Sequence, residues 1–436
     1  MKIHFIGIGG IGISALAQYM RFKNHQISGS DISETMITQE LRKLDIKINI
    51  GHSADAISDH DLVIHSAIIR PDNPEILAAK EKGIKVLSRR EALPFILADK
   101  KVYSIAGAHG KSTTTAILTA IMKGSAIIGA KAKSFASNVR YEQDSDTVIF
   151  EADESDGSFI NSNPYCAIVT NAEPEHMEYY DYNYELFYES YRQFLKNAKY
   201  KVVNAEDPFL ATVCSDEVVC LYPSRDIQNI EYVLINDEPH TRFKLKELGV
   251  FDVWGFGKHI AIDASLAILA ASKEMDIEQI RKNILLYKGI SKRFDVVNSY
   301  HGGVVIDDYG HHPTEIQATL QSVKEYARLK GLKEITIIWQ PHKYSRTIDN
   351  LDAFISCFEG TQRLVILPVY AAGEISRNID FKEKFKKYNP TIVDTLVKDE
   401  NHINLIKDNE VVQTIGKGLI IGFGAGDITY KLRGYA

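Results

Sequence analysis

The stretch VYSIAGAHGKSTTT, residues 102–115, decides the fold because it joins an apolar strand pattern to a glycine-rich loop and a helix pattern. Glycines let the backbone wrap closely around phosphate oxygens, and the N–H groups at the helix start point toward them. Lys111 adds a positive charge for the β- and γ-phosphates, and the Ser112 hydroxyl is a ligand for Mg²⁺. A plain glycine turn is the less favoured alternative. The predicted ATP-binding residues are Gly107, Ala108, His109, Gly110, Lys111, Ser112 and Thr113.

Composition limits the classes of protein to which the chain can belong. It has 436 residues, of which 45% are hydrophobic and 25% charged, as in a soluble globular protein of about three domains. The net charge of −6 argues against a general affinity for nucleic acid or anionic membranes. The first residues resemble a strand, not a signal peptide, and no apolar run approaches the ~18 residues of a membrane span. We therefore expect a cytoplasmic protein without membrane insertion.

The four cysteines are scattered, and none forms a CxxC pair. The sequence therefore predicts neither a zinc site nor a disulfide framework.

Strand patterns alternate with helix patterns, which predicts an α/β fold with parallel sheets and right-handed crossovers. The charged segment 98–101 and the start of a new pattern near Val297 divide the chain into predicted domains at 1–99, 100–296 and 297–436. The predicted strands span 3–6, 26–29, 62–65, 85–87, 102–106, 147–151, 165–171, 201–204, 303–307, 334–339, 363–367 and 419–423. The predicted helices span 13–22, 36–44, 73–81 and 184–198, with a further helix from about residue 112.

Two more strand ends carry polar motifs. The strand 147–151 ends in EADESD, and four acids in six residues repel one another unless a cation lies nearby. A metal-bound nucleotide supplies such a cation, whereas the alternative is a solvated acidic turn. The next strand end leads to His176, which either holds Mg²⁺ or a phosphate, or is structural. The order of phosphate loop, acidic end and histidine end favours the functional interpretation.

The N-terminal turn GIGGIG, residues 7–12, fits G-x-G-x-x-G, and Asp31 follows about 20 residues later. Such a turn binds a pyrophosphate group. The motif is therefore compatible with a nicotinamide-dependent dehydrogenase and with an enzyme that uses a UDP-sugar. A plain βα turn is the third alternative. The separate ATP site favours the UDP-sugar.

The last third of the chain repeats the arrangement of strand followed by polar loop. The loops DDYGHHPTE (307–315), QPHKYSRT (340–347) and GAGDI (424–428) gather histidines, cations and acids. Each of these loops, taken alone, is as often a plain surface loop as a functional one. Together they predict a clamp for substrate and phosphate, formed by His342, Lys343 and Arg346.

In the order GIGGIGIS, GAHGKSTTT, EADESDGSF, TNAEPEHM, DDYGHHPTE, QPHKYSRT, VYAAGE and GAGDI, the chain resembles the Mur ligases from end to end. The resemblance implies a Rossmann-like UDP-substrate domain, a central P-loop ATPase domain and a C-terminal Rossmann-like domain that closes over the site. It implies an ATP- and Mg²⁺-dependent ligase that joins L-alanine to the muramoyl carboxylate of UDP-N-acetylmuramate through an acyl phosphate, in peptidoglycan precursor synthesis. We expect a monomer or weak homodimer.

The resemblance also implies residue roles. Lys111 would contact the ATP phosphates, with Ser112, Glu151 and His176 on Mg²⁺. The UDP-substrate would lie on Gly9, Gly10, Gly12, Asp31, Ser66 and Ala67. His311, Lys343 and Arg346 would face the carboxylate, the amino acid and the transferred phosphate. The predicted catalytic residues are Lys111, His176, His311 and Arg346, with His342 as an alternative base.

The sequence departs from the family pattern at several positions. Ala108 and Ser112 stand where threonine is common, and Lys343 replaces an arginine, which removes a bidentate fork. The segment that contacts adenine usually reads His-Asn-x-x-Asn, whereas here it runs from His259 to Asp263. We assign both of these residues to adenine.

Three alternative functions are less favoured. A recycling ligase adds a whole tripeptide to the same UDP-sugar, but its glycine turn and acidic motif normally differ from those here. A dehydrogenase leaves Lys111 unexplained. A nucleotide-driven binding switch leaves the N-terminal glycine turn unexplained.

Overall fold

The computed structural model describes residues 1–300 and 302–435, except for the side chain of Tyr300. The chain forms two compact units. Unit 1 comprises Met1–Glu231, Thr241–Trp254 and Lys258–Lys288, and unit 2 comprises Tyr232–His240, Gly255–Gly257 and Gly289–Ala436. The predicted domain boundaries at 99/100 and 296/297 stay predictions.

The first sheet of unit 1 has five parallel strands in the order β3-β2-β1-β4-β5. The order reverses between β1 and β4, and ligands of open α/β sheets bind at the carboxyl ends of such a pair. The strands are β1 (Lys2–Ile6), β2 (Gln26–Asp31), β3 (Lys47–Ile50), β4 (Leu62–His65) and β5 (Lys85–Ser88). The helices are α1 (Ile11–Phe22), α2 (Met36–Arg42), α3 (Pro74–Glu81) and α4 (Arg89–Ile96).

The second sheet of unit 1 has seven strands in the order β12-β11-β10-β6-β9-β7-β8, and only β8 is antiparallel to its neighbour. The central position of β6 brings the ends of β9 and β10 to either side of its own end. The strands are β6 (Lys101–Ala106), β7 (Ser125–Ala132), β8 (Ser137–Arg140), β9 (Thr147–Glu151), β10 (Pro164–Val169), β11 (Tyr200–Asn204) and β12 (Val219–Leu221). The helices are α5 (Lys111–Ile121), α6 (Tyr184–Lys196) and α7 (Pro223–Asp226).

A three-stranded sheet in the order β13-β14-β15 comes next in the chain, followed by two helices. The strands are β13 (Ile227–Ile235), β14 (Glu238–Leu245) and β15 (Gly249–Trp254), and the helices are α8 (Lys258–Ala271) and α9 (Ile277–Ile284). Helix α8 packs against α5, the helix that follows the glycine loop.

Unit 2 contains a six-stranded sheet in the order β16-β17-β24-β18-β19-β20, parallel except for β16, and an antiparallel sheet β21-β22-β23. Trp339 is fully buried against Phe354, Phe358, Phe381 and Phe385. The strands are β16 (Asp295–Tyr300), β17 (Gly303–Asp308), β18 (Ile335–Trp339), β19 (Arg363–Ile366), β20 (Thr391–Ile392), β21 (Thr395–Lys398), β22 (Ile403–Lys407), β23 (Glu410–Ile415) and β24 (Gly418–Phe423). The helices are α10 (Pro313–Leu329), α11 (Tyr344–Asp349), α12 (Leu351–Cys357), α13 (Phe381–Lys384) and α14 (Ile428–Leu432).

The predicted α/β class is confirmed, and every predicted strand overlaps an observed one. The prediction for residues 165–171 is too long, because β10 ends at Val169 and the next two residues turn toward the glycine loop. In the described chain no helix combines the length and apolar character that crossing a bilayer requires.

The expectation of no disulfide is wrong for one pair of cysteines. Cys214 and Cys220 are joined, with Cα atoms 6.2 Å apart, whereas Cys166 and Cys357 are buried thiols. The chain turns back between Cys214 and strand β12, which brings the pair within disulfide range although the two residues are six positions apart. A CxxC spacing does not include Cys214 and Cys220, because five residues lie between them.

Candidate active site

The glycine loop between β6 and α5 has, at its two ends, a backbone conformation that favours glycine. Gly107 has φ +132°, and Gly110, which caps α5, has φ +82°. A Cβ placed on Gly107 would lie 2.2 Å from the Thr170 Oγ1 and 2.7 Å from the carbonyl oxygen of Asn171. The close approach lets the end of β10 hold the loop. The Thr170 hydroxyl and the Asn171 amide both donate to the carbonyl of His109, at 2.5 and 2.9 Å.

Lys111 turns its ammonium group inward, onto the loop. Its Nζ donates to the carbonyls of Gly107 at 2.5 Å and Ala108 at 3.3 Å, and to Glu154 Oε1 at 2.9 Å. The Glu154 side chain is only 1% exposed. Burial raises the pKa of this carboxyl and the Lys111 charge opposes the rise. The sequence had marked Glu154 only as one of four acids, and its pairing with Lys111 is a tertiary contact that no local pattern shows.

Ser112 and Glu151 lie together, as predicted for a metal pair. The Ser112 hydroxyl donates to Glu151 Oε1 at 2.9 Å, and Glu151 Oε2 accepts from the Gly129 N–H at 2.6 Å. Burial raises the pKa of Glu151, while the Gly129 N–H and Lys111 lower it. A buried carboxylate and a hydroxyl are oxygen donors that suit Mg²⁺, which usually completes its shell with substrate phosphates and water. These residues therefore fit the ion.

His176 lies in the loop that follows β10. Its Nδ1 lies 3.7 Å from Glu178 Oε1, and its side chain is about half exposed. Its φ of +52° is unusual for a non-glycine residue and is typical of constrained loops at functional sites. Among residues 1–300 and 302–435, no three His, Cys, Asp or Glu side chains are grouped to hold a metal ion. The role of His176 as a ligand stays a prediction.

Asp263 lies against the glycine loop. A Cβ placed on Gly110 would come 2.4 Å from Asp263 Oδ1. Burial raises the pKa of Asp263 well above its ordinary value. The structure thus places Asp263 where it supports the phosphate loop, whereas His259 is exposed near the start of α8. Their contacts with adenine stay predictions.

The N-terminal glycine turn is held by the end of β2. The N–H groups of Gly7 and Ile8 donate to the carbonyl of Ser30 at 2.9 and 3.0 Å, and Gly9 donates to Asp31 Oδ2 at 2.8 Å. Asp31 therefore shapes the turn. The N–H groups in the first turn of a helix have no acceptor within that helix, so the first turn of α1, which includes Gly12, suits an anion.

The turn after β4 lies beside the same glycine turn. The Ser66 N–H donates to the carbonyl of Ile6 at 3.0 Å, and the Ser66 Cβ would lie 3.1 Å from a Cβ placed on Gly7. Ala67 is the next residue of this turn. The structure thus brings Gly9, Asp31 and Ser66 to one edge of the first sheet, as the predicted UDP-substrate site requires.

Unit 2 brings His342 and Arg346 of the predicted clamp together with His311. The rings of His311 and His342 are 6.0 Å apart, and Arg346 Nη1 lies 3.0 Å from His342 Nδ1. Lys343 precedes α11 with φ +67°, a strained backbone that turns the chain at this point. His342 also stacks on Tyr370, with ring centres 5.6 Å apart.

Burial and charge set the protonation of the two histidines differently. Burial and the Arg346 guanidinium lower the pKa of His342 to about 4. Burial also lowers the pKa of His311, but Glu315, whose Oε2 lies 3.4 Å from its Nδ1, opposes that shift.

Two glutamates that the sequence interpretation had not singled out hold this cluster. Glu315 accepts hydrogen bonds from the N–H groups of both His311 and His312. Glu374 accepts from the N–H of Ser345 at 3.0 Å and from its hydroxyl at 2.5 Å, which fixes the start of α11. Glu374 belongs to the quoted motif VYAAGE, so the resemblance was the only signal that pointed to it.

Three family models match consecutive parts of the chain. A model of the Mur ligase family, catalytic domain, matches residues 2–101 and one of the Mur ligase middle domain matches 105–271. A model of the Mur ligase, glutamate ligase domain, matches 292–418. The chain belongs to the Mur ligase family.

Mur ligases of known name resemble the chain over its whole length. It is 53% identical over 433 residues to the UDP-N-acetylmuramate–L-alanine ligase of Campylobacter curvus, with 99% of each chain covered. It is 54% identical to the ligase of the same name from Helicobacter pylori strain P12, with 99% of this chain and 96% of the relative covered.

Solved Mur ligase structures show the same fold. The UDP-N-acetylmuramate–alanine ligase of Thermotoga maritima matches with a TM-score of 0.81 and 26% identity, over 100% of this chain and 98% of the other. A murein peptide ligase from Psychrobacter arcticus matches with a TM-score of 0.61 and 19% identity, over 98% and 96% of the two chains, which is a likeness of fold alone.

The low pKa of His342 predicts that its ring stays neutral between pH 5 and 8. Because the unfolded chain keeps the ordinary pKa near 6.5, it binds more protons than the folded protein between about pH 4 and 6.5, and this residue makes the protein more stable as pH rises there. NMR of the ring proton in the wild type and in Arg346→Met measures this. We expect no titration in the wild type and a higher pKa in the variant, whereas a wild-type midpoint near 6.5 would contradict the assignment.

Proposed function

We propose that the chain is an ATP-dependent amide ligase that joins L-alanine to the muramoyl carboxylate of UDP-N-acetylmuramate, releasing ADP and phosphate. The observation that carries the proposal is the full-length identity of 53% and 54% to ligases of that name. The glycine loop with Lys111, and the Ser112–Glu151 pair beside it, support the use of ATP and Mg²⁺. The proposed reaction belongs to peptidoglycan precursor synthesis. A cytoplasmic location and a monomer or weak homodimer stay predictions.

A carboxylate does not react with an amine near neutral pH because its leaving group is too poor. In the proposed first step a carboxylate oxygen attacks the γ-phosphorus of ATP, the bond to the β–γ bridging oxygen breaks, and ADP leaves. The amine of L-alanine then attacks the acyl carbon, the bond from that carbon to the phosphate-bearing oxygen breaks, and phosphate leaves. This phosphate keeps one oxygen of the original carboxylate.

Phosphoryl transfer depends on neutralised charge and on positioning more than on acid–base chemistry. Lys111 is suited to the first task, because the loop carbonyls and Glu154 hold its ammonium beside the N-terminus of α5. Ser112 and Glu151 would hold Mg²⁺, which neutralises phosphate charge when bound. The Thr170–Asn171 contacts keep the loop backbone in the conformation that receives phosphate oxygens.

The incoming amine must lose a proton, and His311 suits this task better than His342. A base with a pKa of about 4, as His342 has, holds a proton weakly. Glu315 Oε2 lies 3.4 Å from the Nδ1 of His311 and opposes the fall in the pKa of this ring, so it favours the protonated form of His311. We assign the proton transfer to His311 and the carboxylate or phosphate charge to Arg346 and Lys343.

The recycling ligase that adds a tripeptide is the alternative within the family. Its structural likeness here is at 19% identity and concerns the fold alone. The relatives above 50% identity favour L-alanine.

Phosphate release tests the proposal. Purified protein with ATP and Mg²⁺ is assayed across UDP-N-acetylmuramate, UDP-N-acetylglucosamine, L-alanine, glycine, L-serine and the stem tripeptide. We expect fast release only with UDP-N-acetylmuramate together with L-alanine. Release without any UDP-sugar would contradict the ligase, and a preference for the tripeptide would favour the recycling enzyme.

Lys111→Ala is expected to lower turnover by at least on the order of a hundredfold, because one preorganised cation at the transferred phosphate is lost. Binding of UDP-N-acetylmuramate, measured by calorimetry, is expected to survive. Lys123→Ala, at an exposed lysine just after α5, is the matched control and should keep normal turnover. Near-normal ligation by Lys111→Ala would show that the phosphate loop is wrongly assigned.

A further inference from the structure

Arg89, the first residue of α4, is a buried cation that the proposed function has not used. Its side chain is 11% exposed. Its Nη1 lies 3.2 Å from Asp156 Oδ2 and 3.6 Å from Asp153 Oδ2. Its Nε is buried and has no hydrogen-bond partner in the described part of the chain. A guanidinium has five N–H donors in a flat fork, so the two aspartates use only one side of it.

The flat face of the guanidinium lies against the N-terminal glycine turn. A Cβ placed on Gly12 would lie 3.3 Å from Arg89 Cζ and 3.4 Å from Nη2. Gly12 is in the first turn of α1, where the UDP-substrate's diphosphate is expected. Because Gly12 has no side chain, the guanidinium packs directly on the first turn of α1, and the Nη2 and Nε donors at its edge lie beside that turn.

The two aspartates are themselves fixed by the loop that carries them. Asp153 Oδ1 accepts from the Ser155 N–H and Asp156 Oδ1 from the Ser158 N–H, each at 3.0 Å. Each aspartate therefore turns its second oxygen toward Arg89. Two fixed acceptors on one side of a planar cation set the direction of its remaining donors.

We propose that Arg89 is a substrate-binding residue whose fork binds the diphosphate of the UDP-substrate at the first turn of α1. Asp153 and Asp156 act as positioning residues that aim it. Arginine suits this task because its fork matches phosphate oxygens bidentately, which a lysine ammonium does not. That the ligand is a UDP-sugar rests on the proposed function. The position of Arg89 beside the first turn of α1 does not.

Calorimetry with UDP and with UDP-N-acetylmuramate tests the proposal on the full chain. Hydrogen bonds to charged groups predict that Arg89→Ala weakens both ligands about tenfold to a hundredfold. The affinity of Arg89→Lys for both ligands should lie between those of Arg89→Ala and the wild type, because lysine keeps the charge but lacks the bidentate fork. The KM for ATP is expected to stay within about twofold of the wild type, which a general disruption of unit 1 would not allow.

Asp156→Asn separates ligand binding from a merely structural tie. It keeps the size of the side chain but replaces one of the two acceptor oxygens of Asp156 with an amide nitrogen, which loosens the aim of Arg89 while the arginine itself stays. UDP should therefore bind more weakly than to the wild type, but clearly more tightly than to Arg89→Ala. If Arg89 only ties α4 to the loop, Asp156→Asn and Arg89→Ala would weaken UDP alike, and that result would overturn the proposal.

Arg90→Ala is the matched control, because the neighbouring arginine also contacts residues after β9, through Asn161 and Tyr179, each at 3.1 Å. It should leave UDP affinity unchanged. If Arg89→Ala does not fold, Arg89→Lys decides, since unchanged UDP affinity in that variant overturns the inference. A wild type that binds neither UDP nor UDP-N-acetylmuramate would overturn the proposed function and the inference together. If the wild type binds UDP and Arg89→Ala binds it with the same affinity, the inference is overturned and the proposed function is not.

Discussion

The ion pair between Lys111 and Glu154 is the interaction on which the candidate active site depends. A buried carboxylate without a partner would be costly or would take up a proton, and a loop lysine without a partner would point into solvent. Their contact at 2.9 Å keeps the ammonium inside the glycine loop, close to the carbonyls of Gly107 and Ala108. The loop therefore presents its positive charge in a fixed position, which phosphoryl transfer requires more than any acid–base group.

The order of the strands explains why this pair can form. Strand β6 lies between β9 and β10, so the glycine loop, the acidic loop with Glu154 and the Thr170–Asn171 corner meet at one edge. The first sheet repeats the arrangement, with the glycine turn after β1 between the ends of β2 and β4. Arg89 belongs to the first sheet's last helix and pairs with the acidic loop of the second, so it connects the two edges within unit 1.

The sequence predicted the features that are local. Strands such as β6 and β9 carry apolar residues on both faces, and glycines mark the turns that follow them. The edge strand β3 and the antiparallel sheet β21–β23 were missed, because half-exposed strands have a weaker apolar pattern. The partners of the site residues are non-local: Glu154 for Lys111, Glu315 for His311, and Asp263 against Gly110. No spacing along the chain shows such contacts, and the Cys214–Cys220 pair was missed for the same reason.

The central claim is that a phosphoryl group of ATP bound at the glycine loop is transferred to the muramoyl carboxylate. The transfer of ¹⁸O from that carboxylate into the released phosphate tests this claim most directly. UDP-N-acetylmuramate labelled with ¹⁸O in both carboxylate oxygens is converted with ATP and L-alanine, and the released phosphate is analysed by mass spectrometry. An acyl phosphate intermediate predicts one ¹⁸O atom in each phosphate. Unlabelled phosphate, formed while the amide product accumulates, would contradict the account.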